Sequence, residues 1–300
     1  MEAARAVAAC VWCGAPFDDA SAKLPGRTRC AACGAATTDP WPSDAELERA
    51  YGGWYRPSGA RRFSFAGDAI LARTRGLLAS RIDEISPPGP VLDVGAGDGT
   101  LLDALRDRGR EATGLERDSS RDDFRDEPLE EIQGDWAAVI FWHSLEHLPR
   151  PGDAIREAAR LLVPGGVIAV AVPNTASLQA HAFGDRWLHL DLPRHLVHLS
   201  SSSLTRGLQG AGLSVERVSY LRAGQVVIGW LHGLVGAVGD DLDLYQALRT
   251  PPARSSRLSG RRRAAAIAAG VALLPLAIAC AGLEIALRRA GTVYVEGRLG

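Results

Sequence analysis

The sequence predicts an α/β protein built on a mainly parallel sheet. Three observations carry this. Short apolar runs alternate with helix-like stretches between residues 90 and 223. A glycine-rich turn follows the first of those runs directly. Two Cys-x-x-Cys pairs stand ahead of the alternating region. Strands covered on both faces read as unbroken apolar runs, and strand–helix alternation is the pattern of a parallel sheet. With 300 residues, the chain has room for one large domain and an appendage. A formal net charge of −1 gives no global case for nucleic-acid binding.

Taken in order, residues 1–40 form a small cysteine-bearing module. Cys10/Cys13 and Cys30/Cys33 lie in "CVWCG" and "CAACG", each with glycine directly after the second cysteine. That spacing is a zinc knuckle, and two knuckles supply four thiolates for a closed structural site. The N-terminus has an acid at Glu2 and too short an apolar run for a signal peptide, so a reducing cytoplasmic setting is expected, with metal rather than disulfides. Residues 41–86 read as a helical linker opening on a capping box, Ser43 with Glu46.

Residues 87–223 form the core. "PVLDVG", "REATGLE", "WAAVIFW" and "GGVIAVAVPN" are its strands, and "LLDALRDRG" and "DAIREAARLL" its helices. Residues 224–290 hold two apolar stretches, 225–239 and 264–287, around a polar loop. Residues 291–300 contain one more strand-like run, "TVYVEGR".

The segment "VLDVGAGDG" places Asp93 ahead of Gly95, Ala96, Gly97 and Gly99. Glycines let a ligand approach the backbone, and the following helix offers free N–H groups. A dinucleotide loop would present these to a pyrophosphate. A carboxylate at that place repels phosphate and attracts an ammonium. Glu116, in "GLERD", lies where an acid at the tip of the second strand accepts ribose hydroxyls. A ligand with an amino acid and a ribose but no phosphate is S-adenosylmethionine.

"VLDVGAGDG", "GLERD", "IFWHSLEHLPRPGDAIREAARLLVPGGVIAVAVPN" and "WLHLDLPRHLVHLSSSSLTRGLQGAGLSV" together resemble the class I S-adenosylmethionine-dependent methyltransferases, in particular the ubiquinone-methyltransferase-like group. The resemblance implies a Rossmann-like seven-stranded sheet, with "TVYVEGR" as its seventh strand, antiparallel beside "SVERVSYL", so that 224–290 is inserted between neighbouring strands. It places Asp93 and the glycine loop at the methionine part of the cofactor and Glu116 at the ribose. An acid near the third strand should hold the adenine amine. That region is shortened here, and Asp126 is the candidate. Trp142 and His143 would line the cofactor, with Glu146 and His147 toward the substrate and a histidine as general base. From the second cluster, His189, Arg194, His195 and His198 are candidates, with Arg194 available to an anionic substrate group. Taken alone, "HSLEH" also matches the H-x-x-E-H spacing of an inverted zinc-protease motif, and a purely loop-stabilising role for Glu146 and His147 stays open.

"AAAIAAGVALLPLAIACAGL" is long enough to cross a bilayer. Because the insertion returns to its starting strand, shallow membrane association or burial fits better than one crossing. The resulting expectation is a cytoplasmic methyltransferase, peripheral at the inner membrane face, with structural zinc. It would act on oxygen, ahead of carbon, of a small and lipophilic or lipid-linked acceptor. The alternatives are an RNA methyltransferase using the zinc ribbon, supported only by Arg27, Arg29 and Trp12, and a non-catalytic scaffold. Nucleic acid is not the expected partner.

Overall fold

In the computed structural model, residues 5–52, 63, 65–117, 119, 121–255 and 258–300 are described. Parts of the helical linker and of the polar loop lie outside the described residues.

The cysteine module forms three short antiparallel strands: β1 (Ala22–Leu24), β2 (Arg27–Arg29) and β3 (Ala36–Thr38). Helices α1 (Asp44–Tyr51) and α2 (Phe65–Ile85) follow. The capping box at α1 is formed in full, Ser43 and Glu46 satisfying each other's backbone N–H.

The core then runs β4 (Val91–Val94), α3 (Thr100–Arg106), β5 (Ala112–Leu115), β6 (Phe124–Arg125), β7 (Trp136–Trp142), α4 (Pro151–Leu161) and β8 (Leu162–Pro173). After it come α5 (Leu178–Phe183), β9 (Val197–His198), α6 (Ser201–Gly210) and β10 (Leu213–Ser219). The insertion contains α7 (Ala223–Val238), α8 (Leu244–Leu248) and α9 (Gly260–Ala286), and β11 (Thr292–Leu299) closes the sheet.

Seven strands lie in the order β10-β11-β8-β7-β4-β5-β6. β8, β7, β4, β5 and β6 are parallel, and β11 enters antiparallel between β8 and β10. Successive side chains on a strand point to opposite faces. Accordingly, Val139 and Phe141 pack beneath α4 and α6, where Ile155, Leu204 and Leu208 meet them. Ala138 and Ile140 face Leu78 and Ile82 of α2 and Leu101, Leu102 and Leu105 of α3. Arg81 of α2 forms two 2.9 Å hydrogen bonds to the Glu296 carboxylate on β11. That pair ties the helix over the sheet.

Two expectations need correction. The cysteine module is not a detached appendage. β3 takes β9 as a fourth strand, with Ala36 opposite His198 and Thr37 opposite Val197. Trp12 is buried beneath α6, and its Nε1–H donates to the Ser203 carbonyl at 3.1 Å. A Cβ on Gly207 would lie 2.0 Å from its ring. The aromatic that could have stacked on RNA is therefore part of the core. Nor is the insertion a bare two-helix hairpin, because α8 adds to its core, packing Leu244 and Ala247 with Val226, Trp230, Ala266 and Ala277.

Candidate active site and cysteine cluster

The carboxyl ends of β4, β5 and β7 gather the glycine loop, Glu116 and the His143 turn. Asp93 is 2% exposed, and its Oδ1 has no hydrogen-bond partner. Burial pushes its carboxyl up to about 7. Arg75 opposes that shift, and the acids Glu116 and Asp98 add to it. An unsatisfied buried carboxylate is costly unless a donor reaches it. A cationic ligand group would satisfy it.

The three loop glycines all have positive φ, but only Gly97 opens onto free space. A Cβ on Gly95 would strike Ser144, and one on Gly99 would strike Arg121. Gly97 would meet nothing within 4 Å, and its N–H donates to Glu116 Oε2 at 2.7 Å. The first and last glycines therefore serve the fold, and the middle one leaves a cradle. Ala96 is buried between them, its N–H bonded to the Leu115 carbonyl. Asp126 directly follows β6, the short edge strand beside β5, and is exposed. The shortened third-strand region is thus observed, with β6 only two residues long.

The next turn holds His143 at φ 53, a conformation uncommon outside glycine. Its backbone N–H donates to the Ala171 carbonyl at 2.8 Å. His143 Nδ1 lies 3.3 Å from Glu146 Oε1. Its Nε2 is 3.0 Å from Nε2 of Gln225, on the insertion helix α7. The amide N–H donates to the ring nitrogen, leaving Nδ1–H toward Glu146. Sequence reasoning missed Gln225, which lies in an apolar run with no local motif.

Glu146 is 2% exposed, and neither carboxylate oxygen has another hydrogen-bond partner. Burial opposes its ionisation. The facing imidazoles, His143 first, nevertheless hold it below the usual carboxylate range. His195 Nε2 is 4.0 Å from Glu146 Oε1, and its Nδ1–H donates to the His189 carbonyl at 3.0 Å. His147 packs edge-on against His195, with Nδ1 between the Arg194 carbonyl oxygen and the Tyr51 hydroxyl. Glu146, His147 and His195 bring their ligand atoms within 4.8 Å of one another, a group that could hold a cation. Burial lowers the basicity of His147 and takes that of His195 far below the ordinary value. It also pushes His189 and His198 down to about 3.

The inverted protease reading fails on geometry. Residues 145–147 form a single 3-10 turn rather than an α-helix bearing both histidines on one face. Arg194 is also not free for a substrate. It pairs with Asp191 and donates to the Ala50 carbonyl at 3.2 Å.

At the other end, the four cysteine sulfurs lie within 4.8 Å of one another. Cys10–Cys33 and Cys13–Cys30 measure 3.6 and 3.7 Å. A tetrahedron with metal–sulfur arms of about 2.3 Å has edges of about 3.8 Å. Both cysteine turns are built alike. Cys10 N–H donates to Ala15 O and Cys30 N–H to Ala35 O, with Gly14 and Gly34 each at φ 75. The donor set fits zinc.

A family model described as "Methyltransferase domain" matches residues 70–218. Residues 70–218 carry a methyltransferase domain, and its sheet is that of the class I S-adenosylmethionine-dependent methyltransferases. A ubiquinone biosynthesis O-methyltransferase of Xanthomonas oryzae pv. oryzae (strain PXO99A) is 29% identical over 153 residues, covering 43% of this chain and 64% of the relative. This chain thus matches somewhat under two thirds of that relative's length. A protein of the same description from Xylella fastidiosa (strain 9a5c) is 26% identical over 199 residues, covering 57% of this chain and 77% of the relative. Among solved structures, the [4+2]-cyclase SpnF aligns with a TM-score of 0.51 at 19% identity, covering 86% of this chain and 97% of that one. That likeness concerns the fold alone.

Proposed function

We propose that this methyltransferase moves a methyl group from S-adenosylmethionine to an oxygen of a small, lipophilic or lipid-linked acceptor. The observation that carries the cofactor reading is the buried Asp93 carboxylate, whose Oδ1 has no hydrogen-bond partner, beside the open Gly97 cradle. The ligand's amino-acid end is zwitterionic. Asp93 suits its ammonium, and Arg75, which acts electrostatically on Asp93, suits its carboxylate. Glu116, Ala96 and Trp142 would line the ribose and neighbouring parts, and Asp126 would meet the adenine amine. Relatives described as O-methyltransferases favour oxygen as the receiving atom.

When bound, the cofactor supplies a methyl group on an already activated sulfonium. The chain's own residues have two tasks, to align the acceptor and to take its proton. His143 is the base in this reading, accepting the hydroxyl proton at Nε2. Glu146 keeps the Nδ1–H tautomer and stabilises the imidazolium that results. The acceptor hydroxyl must take the place of the Gln225 amide at Nε2 to give up its proton there, and the amide oxygen can turn to the protonated ring once the acceptor has left. That oxygen is buried without a partner in the neutral arrangement. His147 and His195, kept neutral by burial, wall the Glu146 carboxylate from solvent and hold the substrate-side loop.

Zinc in Cys10, Cys13, Cys30 and Cys33 is assigned a structural part. Through β3 and β9 it would hold the 187–200 segment. The Thr38 hydroxyl donates to the His195 carbonyl at 2.6 Å, and Leu196 N–H donates to the Glu146 carbonyl at 2.7 Å.

The insertion supports peripheral membrane association at the cytoplasmic face. α9 is one helix long and apolar enough to cross a membrane, and 22% of its most apolar window is buried. Its neighbouring strands β10 and β11 pair with each other, so a single crossing would split the sheet. α7, at 16 residues, reaches only about 24 Å against a hydrocarbon core of roughly 30 Å. Val271, Leu274, Ile278 and Leu283 are exposed along α9, with Arg261–Arg263 before them and Arg288 and Arg289 after. An apolar face flanked by arginines suits a flat lie on an anionic surface.

The test is methyl transfer from labelled S-adenosylmethionine to catechol-type acceptors of graded chain length, presented in anionic vesicles. Incorporation that rises with chain length and disappears in His143→Ala is the expected result. Tight cofactor binding with no transfer to any phenolic hydroxyl would defeat the oxygen assignment.

A further inference from the structure

Arg222 lies between β10 and α7, beside the His143 turn. Its guanidinium carbon sits 4.9 Å from the Trp142 ring centroid and 4.3 Å from the Tyr294 ring centroid. Those rings, 6.2 Å apart, come from β7 and β11, and both residues flank Ala171 of β8. The guanidinium is thus spread over an aromatic floor, where cation–π attraction holds it.

Two buried donors here lack acceptors. Arg222 Nε and Trp142 Nε1 are both buried without a hydrogen-bond partner. Among the described residues, Arg222 forms no side-chain ion pair. Its neighbours do otherwise: Arg81 holds Glu296, Arg194 holds Asp191 and Arg298 holds Glu216. Burial accordingly depresses the basicity of Arg222. A half-buried arginine with a free fork, stacked on two rings, is built to receive a planar oxyanion.

Its place in the sheet says which one. Arg75 also stands over the Trp142 ring, its guanidinium carbon 4.8 Å from the centroid, so the two arginines flank one ring. The amino-acid end of the cofactor belongs at Asp93 on β4, where Arg75 already stands. Arg222 instead shares one turn of chain with Gln225, which touches His143. Beyond it, α7 continues as an apolar helix with Val226, Trp230 and Val235 in the insertion's core. An anionic group at Arg222 and a hydroxyl at His143 describe one acceptor molecule.

We propose that Arg222, supported by Trp142 and Tyr294, is the specificity-determining anchor for a carboxylate or phosphate carried by the methyl acceptor. The proposal rests on the methyltransferase reading above. Its test is calorimetry on the full-length protein saturated with S-adenosylhomocysteine, titrated with benzoate and with phenyl phosphate as probes. The wild type should bind at least one of them, and which one identifies the oxyanion. Arg222→Met should weaken that binding by at least about tenfold, and Arg222→Lys, which keeps the charge but loses the fork, by a few-fold. S-adenosylhomocysteine affinity should stay within about twofold in both variants. Absence of binding of either probe to the wild type at about 10 mM, or equal binding by Arg222→Met, overturns the proposal. Loss of S-adenosylhomocysteine binding in the variants alone reassigns Arg222 to the cofactor and overturns it too. Failure of the wild type to bind S-adenosylhomocysteine defeats the methyltransferase reading and this proposal together.

Discussion

The two halves of the site are built by different rules. The cofactor half comes from one continuous stretch, Asp93 through Gly99, with Glu116 one strand away and bonded back to Gly97. The acceptor half proposed above is assembled from β7, the 187–200 loop, the start of α7 and β11. The first half does the same job whatever is methylated, so a local turn suffices. The second must fit one acceptor, and it draws on segments that share no sequence neighbourhood. It also leans on the parts peculiar to this chain: the cysteine module buttresses the 187–200 loop from one side, and the insertion delivers Gln225 and Arg222 from the other.

This contrast can be broken at several points. The largest effect is expected at the cysteine cluster. Cys33→Ser should lose the single equivalent of zinc that the wild type is expected to hold, measured by atomic absorption. It should lower the thermal midpoint by about 10 °C or more, because Trp12 and β9 depend on the module. A stable, metal-free Cys33→Ser protein with unchanged activity would separate the module from the site.

Next comes the base. His143→Ala should cut kcat by about 10²–10⁴ and leave cofactor affinity nearly intact. Glu146→Gln should cost less, because the ring stays in place without its counter-charge. Equal damage to cofactor binding would place His143 in the other half.

A smaller effect is expected at the surface of the insertion. Val271→Asp with Ile278→Asp should reduce cosedimentation with anionic vesicles severalfold at unchanged thermal midpoint, since both residues are exposed. The smallest belongs to Arg194. Its replacement by lysine should change KM for any acceptor by less than about twofold, because its fork is committed to Asp191.

The sequence made the cofactor half legible because its chemistry follows chain order. The acid before the glycines argued against pyrophosphate, and β11 could be placed from "TVYVEGR" only through the resemblance, because a strand buried on both faces carries no signal for its position in the sheet. The acceptor half was only partly legible. His143, Glu146, His147 and His195 stood out as residue types, but their roles depend on burial, which separates His143 from His195. Arg194 and Arg222 are indistinguishable in sequence. Only the fold shows that the first is paired with Asp191 and the second, without an ion pair among the described residues, lies on two rings. The anchoring of the cysteine module by β9 was invisible too, since a two-residue strand carries no periodicity.

The central claim, that Asp93 awaits a cationic ligand group, is tested most directly by S-adenosylmethionine calorimetry across pH. Burial puts the free carboxyl near pH 7, and a bound ammonium favours its ionised form. Binding should therefore release a proton, and affinity should rise about tenfold from about pH 6 to about pH 8. Asp93→Asn should bind far more weakly and without that slope. Tight binding that ignores both pH and the substitution would contradict the account.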